Sequence, residues 1–248
     1  MNTQNQVFIG LDGCKAGWFF VAFSSEDSWD FGIEADIGAV CKKFPEARHI
    51  FIDIPIGLPS KESRKVDSAA RKRLSPYRNS SVFPVPSRNA VYSENYLDSC
   101  EKNFQDMGKK VSKQAWFICP KIKEVDSWLI QEEDWRSKIR ESHPEVGFWA
   151  LNGGAPMKQN KKTTEGHLER MTLLSQFFEP AEVLYKQAMS QFPRKVLLGD
   201  DIVDAICLAV MASHTEHHTS IPEETEFDQK GLPMEMVFSN KCLEGLND

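Results

Sequence analysis

Several features that often reveal a protein's class are missing from this chain of 248 residues. Its six cysteines are scattered and include no C-x-x-C pair, so the sequence suggests neither a zinc site nor a disulfide framework. No apolar stretch approaches the roughly 18 residues that span a bilayer. The first residues, MNTQNQ, lack the basic and apolar regions of a secretory signal. Together these absences predict a protein of the reducing cytoplasm with no membrane partner.

An excess of positive charge is missing too. The formal net charge is −6 at pH 7, so contact with nucleic acid requires a local basic patch rather than a generally basic surface. The composition is otherwise ordinary for a globular protein. The length suffices for one sizeable hydrophobic core, and we predict a single domain over residues 1–248.

The first part of the chain predicts a mixed sheet. Apolar runs predict strands at Val7–Leu11 and Trp18–Phe23, and alternation of apolar and polar residues predicts a third at Ser28–Ile33. A helical pattern follows over Asp36–Lys43, and a continuously apolar strand runs over His49–Ile54. Short linkers make the first three strands an antiparallel meander. The helical crossover makes the fourth strand parallel to an earlier one.

The segment at about 60–135 interrupts this order of core strands and helices, and we predict that it is an insertion with helical and extended parts. Within it we expect a helix over Lys61–Leu74, an extended stretch over Ser81–Arg88, and helices over Tyr92–Phe104 and Pro120–Trp135. The core then resumes with a strand at Lys138–Ser142, helices at Thr164–Phe178 and Glu179–Gln191, a helix that begins at Asp200, and a strand at Met234–Ser239.

Three aspartates lie in apolar surroundings. Asp12 ends the first strand, Asp53 lies near the end of the fourth, and Asp204 belongs to the last helix, GDDIVDAICLAVMA. If the first and fourth strands are parallel neighbours, their two carboxylates emerge at the same end of the sheet, and a helix packed over that end adds the third. Carboxylates a few ångströms apart repel one another, and Mg²⁺ or Mn²⁺ relieves the repulsion by taking oxygen ligands. The pattern therefore predicts a metal site suited to displacement at a phosphodiester.

Each aspartate also has a purely structural interpretation. Asp12 suits a turn, and Asp53 suits a cap for the Pro- and Gly-containing turn that follows it. Asp204 suits an ion pair on its helix, with Arg170 or Lys195 as the partner. These interpretations stay open beside the metal site.

Basic residues are concentrated in the insertion and also follow it. Because Lys and Arg bind backbone phosphates whatever the base sequence, these residues predict a phosphate-binding wall beside the carboxylates. The alternative is a solvated helix face. The candidates are Arg64, Arg71, Arg73, Arg78, Arg88, Lys113, Lys121 and Lys161.

Several stretches of the sequence resemble domain-of-unknown-function family 429, a group of predicted nucleases of the ribonuclease H-like fold. These stretches are GLDGCKAGW, IDIPIGLP, SVFPVPSR, QAWFICPKIKEVD, HPEVGFWALNG and DDIVDAICLA, and they follow one another along nearly the whole chain. The resemblance implies an α/β fold with a ribonuclease H-like mixed five-stranded sheet. It also implies a β-β-β-α-β core, helices on both faces and a helical and extended insertion.

The resemblance further implies roles for particular residues. Asp12, Asp53 and Asp204 are expected to be catalytic and to bind the metal. Glu145, in the HPE that follows the fifth strand, is expected as a fourth catalytic carboxylate, and Asp201 as a substitute metal ligand if the helix register differs. The first helix contains no Glu where ribonucleases H keep one, so the mechanism is not a simple copy of theirs.

These residues predict a hydrolase that cleaves phosphodiester bonds of DNA or RNA with Mg²⁺ or Mn²⁺ as cofactor. Two alternatives stay open. One is a nucleotide-binding or phosphoryl-transfer protein of the actin-like ATPase type. The stretch LDGCKAGW resembles the first phosphate loop of those proteins, but the sequence contains no second D-x-G-G loop. The other is a non-catalytic nucleic-acid-binding module. Whether the chain forms a homodimer is left open as well.

Overall fold

We describe the protein from a computed structural model that covers residues 6–24 and 28–243. Residues 1–5, on which the prediction of no secretory signal mainly rests, lie outside the described part of the chain. In that described part, no helix has both the length and the apolar character needed to cross a bilayer.

The core of the protein is a mixed five-stranded sheet in the order β3-β2-β1-β4-β5. Its strands are β1 (Val7–Cys14), β2 (Gly17–Ser24), β3 (Trp29–Glu34), β4 (Ala47–Ile52) and β5 (Ile139–Glu141). β2 is antiparallel to β1 and β3, whereas β4 is parallel to β1 and β5. The predicted meander and the predicted parallel pairing of the first and fourth strands are confirmed.

Helices cover both faces of this sheet, which is why its central strands are apolar on both sides. On one face, Leu11, Phe20 and Ile52 share a buried cluster with two helices, α1 (Ile37–Lys43) and α5 (Lys113–Gln131). The other face is covered by α6 (Pro144–Leu151), α7 (Thr164–Leu174), α8 (Ala181–Gln191) and α9 (Gly199–Ser213). Among them, α9 lies directly on β1.

The predicted insertion at 60–135 contains α2 (Lys65–Arg73), α3 (Arg88–Val91), α4 (Tyr96–Met107) and α5. α5 contributes Val125 and Leu129 to the buried cluster on the sheet, so its packing makes it a core helix. It begins before Pro120, the predicted start, because Ser112 caps it by accepting a hydrogen bond from the N–H of Ala115 at 3.1 Å. Pro120 lies inside the helix on its exposed side.

Two parts of the fold are missing from the sequence prediction. Helix α6 follows the fifth strand after only a two-residue gap, where no helix was expected. β6 (His218–Phe227) and β7 (Pro233–Ser239) form a separate two-stranded antiparallel sheet, in which β7 is the predicted last strand and β6 is new. Short 3-10 turns lie at Asn79–Ser81, Glu133–Trp135 and Thr215–His217.

Candidate metal centre

Three carboxylates from distant parts of the chain converge at one end of the sheet. One carboxylate oxygen from each of Asp12, Asp53 and Asp204 lies within 4.8 Å of the other two. Asp12 is 9% exposed and Asp204 only 2%. The structure therefore brings together the three aspartates that the sequence singles out.

The pairing of β1 with β4 accounts for two of these carboxylates. Leu11 lies opposite Ile52 in the parallel register, and the N–H of Asp53 donates to the Leu11 carbonyl at 3.0 Å. The next residue of each strand is therefore an aspartate at the same sheet edge. Asp12 Oδ1 also accepts a hydrogen bond from the N–H of Gly13 at 2.6 Å. Asp12 lies within β1, opposite Phe19 of β2, so its interpretation as a turn residue is wrong.

Gly10 accounts for the third carboxylate, because it lets α9 approach the backbone of β1. A Cβ atom at Gly10 would lie 2.1 Å from the carbonyl oxygen of Ala205 and 2.3 Å from the nitrogen of Ala209, distances that real Cβ atoms do not adopt. Side chains two residues apart on a strand share a face, so Asp12 faces α9 as Gly10 does. The adjacent helical residue, Asp204, is thereby held against Asp12.

Burial and mutual repulsion act on the acid groups together. Desolvation raises the pKa of Asp12 well above its usual range, and the charges of Asp53 and Asp204 raise it further. Desolvation also raises the pKa of Asp53, while His143 opposes the shift and Asp204 adds to it. Carboxylates in this condition favour a nearby cation, which stabilises their charged form.

Lys161 supplies one such cation. Its ammonium lies 2.5 Å from Asp204 Oδ2 and 3.8 Å from Asp200 Oδ2. Burial lowers the pKa of Lys161, but Asp204 and Asp12 outweigh burial and raise it overall. The ion pair considered for Asp204 therefore exists, with Lys161 as its partner rather than Arg170 or Lys195.

Glu145 lies beside the cluster and is held by another cation. Its Oε1 accepts a hydrogen bond from Arg170 Nη2 at 2.6 Å, and both side chains are almost fully buried. Its Oε2 is buried with no hydrogen-bond partner in the structure. The group of three mutually close ligand atoms does not include Glu145, and its role as a fourth catalytic carboxylate stays a prediction.

Asp201 serves the start of α9 instead of joining the cluster. Its Oδ2 accepts a hydrogen bond from the N–H of Leu198 at 2.9 Å, which caps the helix. Desolvation raises the pKa of Asp201 to about 6, although this hydrogen bond opposes the shift. The helix register brings Asp204, not Asp201, to Asp12, so the substitution considered for Asp201 is not needed.

A cavity of about 370 Å³ adjoins the carboxylates. Its lining combines acidic groups, a cation and apolar side chains: Asp53, Glu145, Lys161, Asp204, Phe83 and Ile118. His143 also lines it, and its Nδ1 accepts a hydrogen bond from the N–H of Glu145 at 3.1 Å. The site is therefore a pocket with charged side chains on one wall, and its volume suits a group as small as a phosphate.

Two of the predicted phosphate-binding arginines have a different role. Arg64 is 2% exposed and pairs with Asp67 at 2.6 Å and with Glu141 at 2.7 Å. Arg88 pairs with Asp126 and Asp228. Because buried carboxylates already neutralise these guanidinium groups, the prediction that they bind phosphate is corrected.

The other predicted basic residues do not form one continuous wall. The Arg73 guanidinium lies over the Trp149 ring at 5.8 Å, and Lys113 Nζ lies over the Tyr96 ring at 3.7 Å. The remaining positions are as follows: Arg71 is exposed, Arg78 donates to the Lys158 carbonyl, and Lys121 donates to the Gly17 carbonyl. Lys161 is the predicted basic residue that reaches the carboxylates.

Sequence reasoning considered Arg170 as a partner of Asp204 and missed it as the anchor of Glu145. The GHLER pattern around Arg170 contains no sign of burial, because a charged residue on a helix is normally exposed. Only the apolar residues that surround it in space reveal its position.

The donor set suits a hard divalent cation. Asp12, Asp53 and Asp204 offer oxygen atoms only, the ligand type that Mg²⁺ and Mn²⁺ prefer. The unpartnered Glu145 Oε2 is a further acceptor close to them. The residues present therefore fit the expected metal, with Lys161 as an additional positive charge.

A protein-family model matches residues 10–226, a range that includes the whole carboxylate cluster and the five-stranded sheet except the first residues of β1. No curated protein and no solved structure matches the chain. Because the match covers most of the sequence, the chain belongs to the family described as "Protein of unknown function (DUF429)".

Proposed function

We propose that this protein is a divalent-metal-dependent nuclease of the ribonuclease H-like type, which hydrolyses phosphodiester bonds of DNA or RNA. The observation that carries the proposal is the convergence of Asp12, Asp53 and Asp204 within 4.8 Å. A mixed sheet with two acids at the ends of parallel neighbours, and a third on a helix across it, supports the ribonuclease H-like assignment.

The residues have distinct roles in the proposed reaction. Asp12, Asp53 and Asp204 would hold Mg²⁺ or Mn²⁺, and the bound ion would lower the pKa of a water and stabilise negative charge on the phosphate. Lys161 offers a hydrogen-bond donor to a phosphate oxygen at the cavity. His143 orients the backbone at Glu145, because its Nδ1 accepts a hydrogen bond from the Glu145 N–H. The interaction of His143 with Asp53 also lowers the pKa of that aspartate.

A non-catalytic nucleic-acid-binding module is the second candidate. The observation in its favour is the ion pair between Lys161 and Asp204, since a lysine can neutralise a buried aspartate without any metal. This pair leaves Asp12 and Asp53 without an equally close cation, because neither lies within 4.0 Å of a basic group in an ion pair of the described residues. These two uncompensated carboxylates favour the metal-dependent nuclease over the non-catalytic binding module.

A cleavage assay tests the proposal. Labelled single-stranded, duplex, DNA–RNA hybrid and branched substrates are incubated with the protein and Mg²⁺ or Mn²⁺. We expect cleavage by the wild type and a loss of at least about 10³-fold in Asp12→Asn and Asp204→Asn, equivalent to roughly 4 kcal/mol of transition-state stabilisation.

Asp134→Asn is the matched control, because it removes the same charge from an exposed residue in a 3-10 turn. It should cleave like the wild type. If the wild type and both site variants are equally inactive on all substrates, the nuclease proposal fails. Nucleic-acid binding that survives both substitutions would then support the binding module.

A further inference from the structure

We infer that the ammonium of Lys161 occupies the place of a second cation, so that the site binds one divalent ion rather than a pair. The inference rests on the proposed function, because it concerns the metal site of that nuclease. Paired divalent ions in nucleases lie about 3.5–4 Å apart and share carboxylate ligands. A lysine fixed on one of the shared carboxylates occupies the room that the second ion would need.

The ammonium of Lys161 lies at the edge of the carboxylate cluster. Lys161 Nζ contacts Asp204 on the side of Asp200, at 2.5 Å and 3.8 Å from their Oδ2 atoms. Among the described residues, Asp12 and Asp53 form no ion pair with it within 4.0 Å. The cation therefore flanks the carboxylate cluster, and the two strand-end carboxylates remain available to an ion.

The loop that carries Lys161 is fixed by two side chains of α7, the half-buried Glu169 and the buried Arg170. Glu169 accepts hydrogen bonds from the N–H groups of Lys158 at 3.0 Å and Gln159 at 2.9 Å. Arg170, which is 1% exposed, donates to the Gln159 carbonyl at 3.1 Å while it also holds Glu145. One buried guanidinium thus ties the lysine loop to the wall of the metal centre.

The loop backbone at Asn160 and Lys161 also packs tightly against Gly166 in the first turn of α7. A Cβ atom at Gly166 would lie 1.9 Å from the Asn160 carbonyl oxygen and 3.1 Å from the Lys161 nitrogen. Thr163 strengthens this contact, since its Oγ1 donates to the Asn160 carbonyl and accepts from the Gly166 N–H. The backbone of Lys161 is therefore preorganised beside Asp204.

Lys161 offsets part of the negative charge of the centre. The three converging aspartates carry three negative charges, and Lys161 contributes one positive charge. Glu145 is compensated by Arg170. Asp200, 3.8 Å from the same ammonium, and Asp201, whose charge raises the pKa of Asp12, add further negative charge beside the centre. The position of the Lys161 ammonium, rather than a balance of charges, therefore limits the centre to one ion.

Metal-binding stoichiometry tests the inference without any catalytic assay. Mn²⁺ binding is measured by isothermal titration calorimetry and by electron paramagnetic resonance on the full chain. We expect one Mn²⁺ per wild-type protein, two per Lys161→Met, and one per Lys161→Arg, which restores the positive charge. Lys158→Met is the control, because this exposed residue shares the loop, and it should bind one ion.

Two Mn²⁺ ions in the wild type overturn the inference, even if Lys161→Met fails to fold. One ion in both the wild type and a folded Lys161→Met also overturns it. No Mn²⁺ in any of the proteins would contradict the proposed metal-dependent function itself, so the two failures are distinguishable.

Discussion

The carboxylate of Asp12 is needed to bind the proposed metal ion, but its charge destabilises the folded state. Its carboxylate is nearly buried and lies close to two others, with one hydrogen bond from the Gly13 N–H as its own backbone contact. Burying a charged carboxylate is unfavourable unless a cation compensates it. Without a divalent ion, Lys161 reduces this cost, mainly at Asp204, and the charge of Lys121 also attracts Asp12.

We predict that Asp12→Asn raises the stability of the metal-free protein at pH 8. Desolvation, with the charges of Asp53 and Asp204, raises the pKa of Asp12 above its unfolded value near 3.8. The folded state therefore binds more protons between these two pKa values, and the free energy of unfolding falls as pH rises through that window. Asparagine removes the charge and keeps the Oδ1 acceptor, so we expect Tm to rise by about 2–4 °C, roughly 1 kcal/mol.

Thermal melts at pH 8 and pH 4, with and without Mg²⁺, measure this effect. The difference should shrink towards pH 4, where the wild-type carboxyl is protonated in the folded protein. Mg²⁺ should raise the Tm of the wild type and leave Asp12→Asn unchanged. A variant that melts below the wild type at pH 8 without Mg²⁺, next to an unchanged Asp134→Asn, would contradict the electrostatic explanation.

Lys161 shows where prediction from sequence ends at the scale of the residue. The aspartates were identifiable because each interrupts an apolar pattern, and that signal is local. Lys161 lies in a polar loop 43 positions from Asp204, so nothing in its neighbourhood indicates which carboxylate it meets. For the same reason, the pairing of Asp204 with Arg170 or Lys195 was as reasonable as the observed pairing.

At the scale of the secondary structure, the contact between β1 and α9 decides the geometry of the site. Gly10 allows the helix backbone to lie on the strand backbone. Asp12 follows it on the same strand face, and Asp204 precedes the contacting residue Ala205. A side chain at Gly10 would separate the two carboxylates as well as the two elements.

We predict that Gly10→Ala destabilises the protein by about 1–3 kcal/mol or more, because its Cβ would overlap backbone atoms of α9 that cannot rotate away. It should also weaken Mn²⁺ binding, since Asp204 must move from Asp12. Urea denaturation and Mn²⁺ titration measure the two effects.

Gly32→Ala in β3 is the matched control. Its Cβ would meet the far end of the buried Phe20 ring at 2.9 Å, a side chain rather than the backbone of a helix. We expect a smaller loss of stability and unchanged Mn²⁺ binding. Equal stability of Gly10→Ala and the wild type would show that the close approach of α9 does not position the site.

The predictable elements are those with a clear hydrophobic period. The strands of the meander and β4 alternate or are continuously apolar, so their order and pairing followed from the sequence. Helix α6 (PEVGFWAL) is buried on nearly all sides and has no polar face to reveal a helical period. Strand β6 (HTSIPEETEF) is mostly polar, and its pairing with β7 shifts register after Ile221, so neither alternation nor apolarity marks it.

At the scale of the whole molecule, several arginine side chains lie inside the fold and form ion pairs there, instead of lying free on the surface. Arg64, Arg88 and Arg170 each compensate buried carboxylates. A basic run in the sequence therefore overstates the positive surface open to phosphate, because neutralisation depends on contacts between distant segments. This is why the carboxylate cluster could be predicted and the phosphate-binding wall could not.

The most direct test of the metal centre is anomalous diffraction from a crystal soaked in Mn²⁺. We predict an anomalous peak in contact with the carboxylates of Asp12, Asp53 and Asp204, with the Lys161 ammonium still bound to Asp204. A fully soaked crystal without an anomalous peak at these three carboxylates would contradict the assignment of this site as a metal centre.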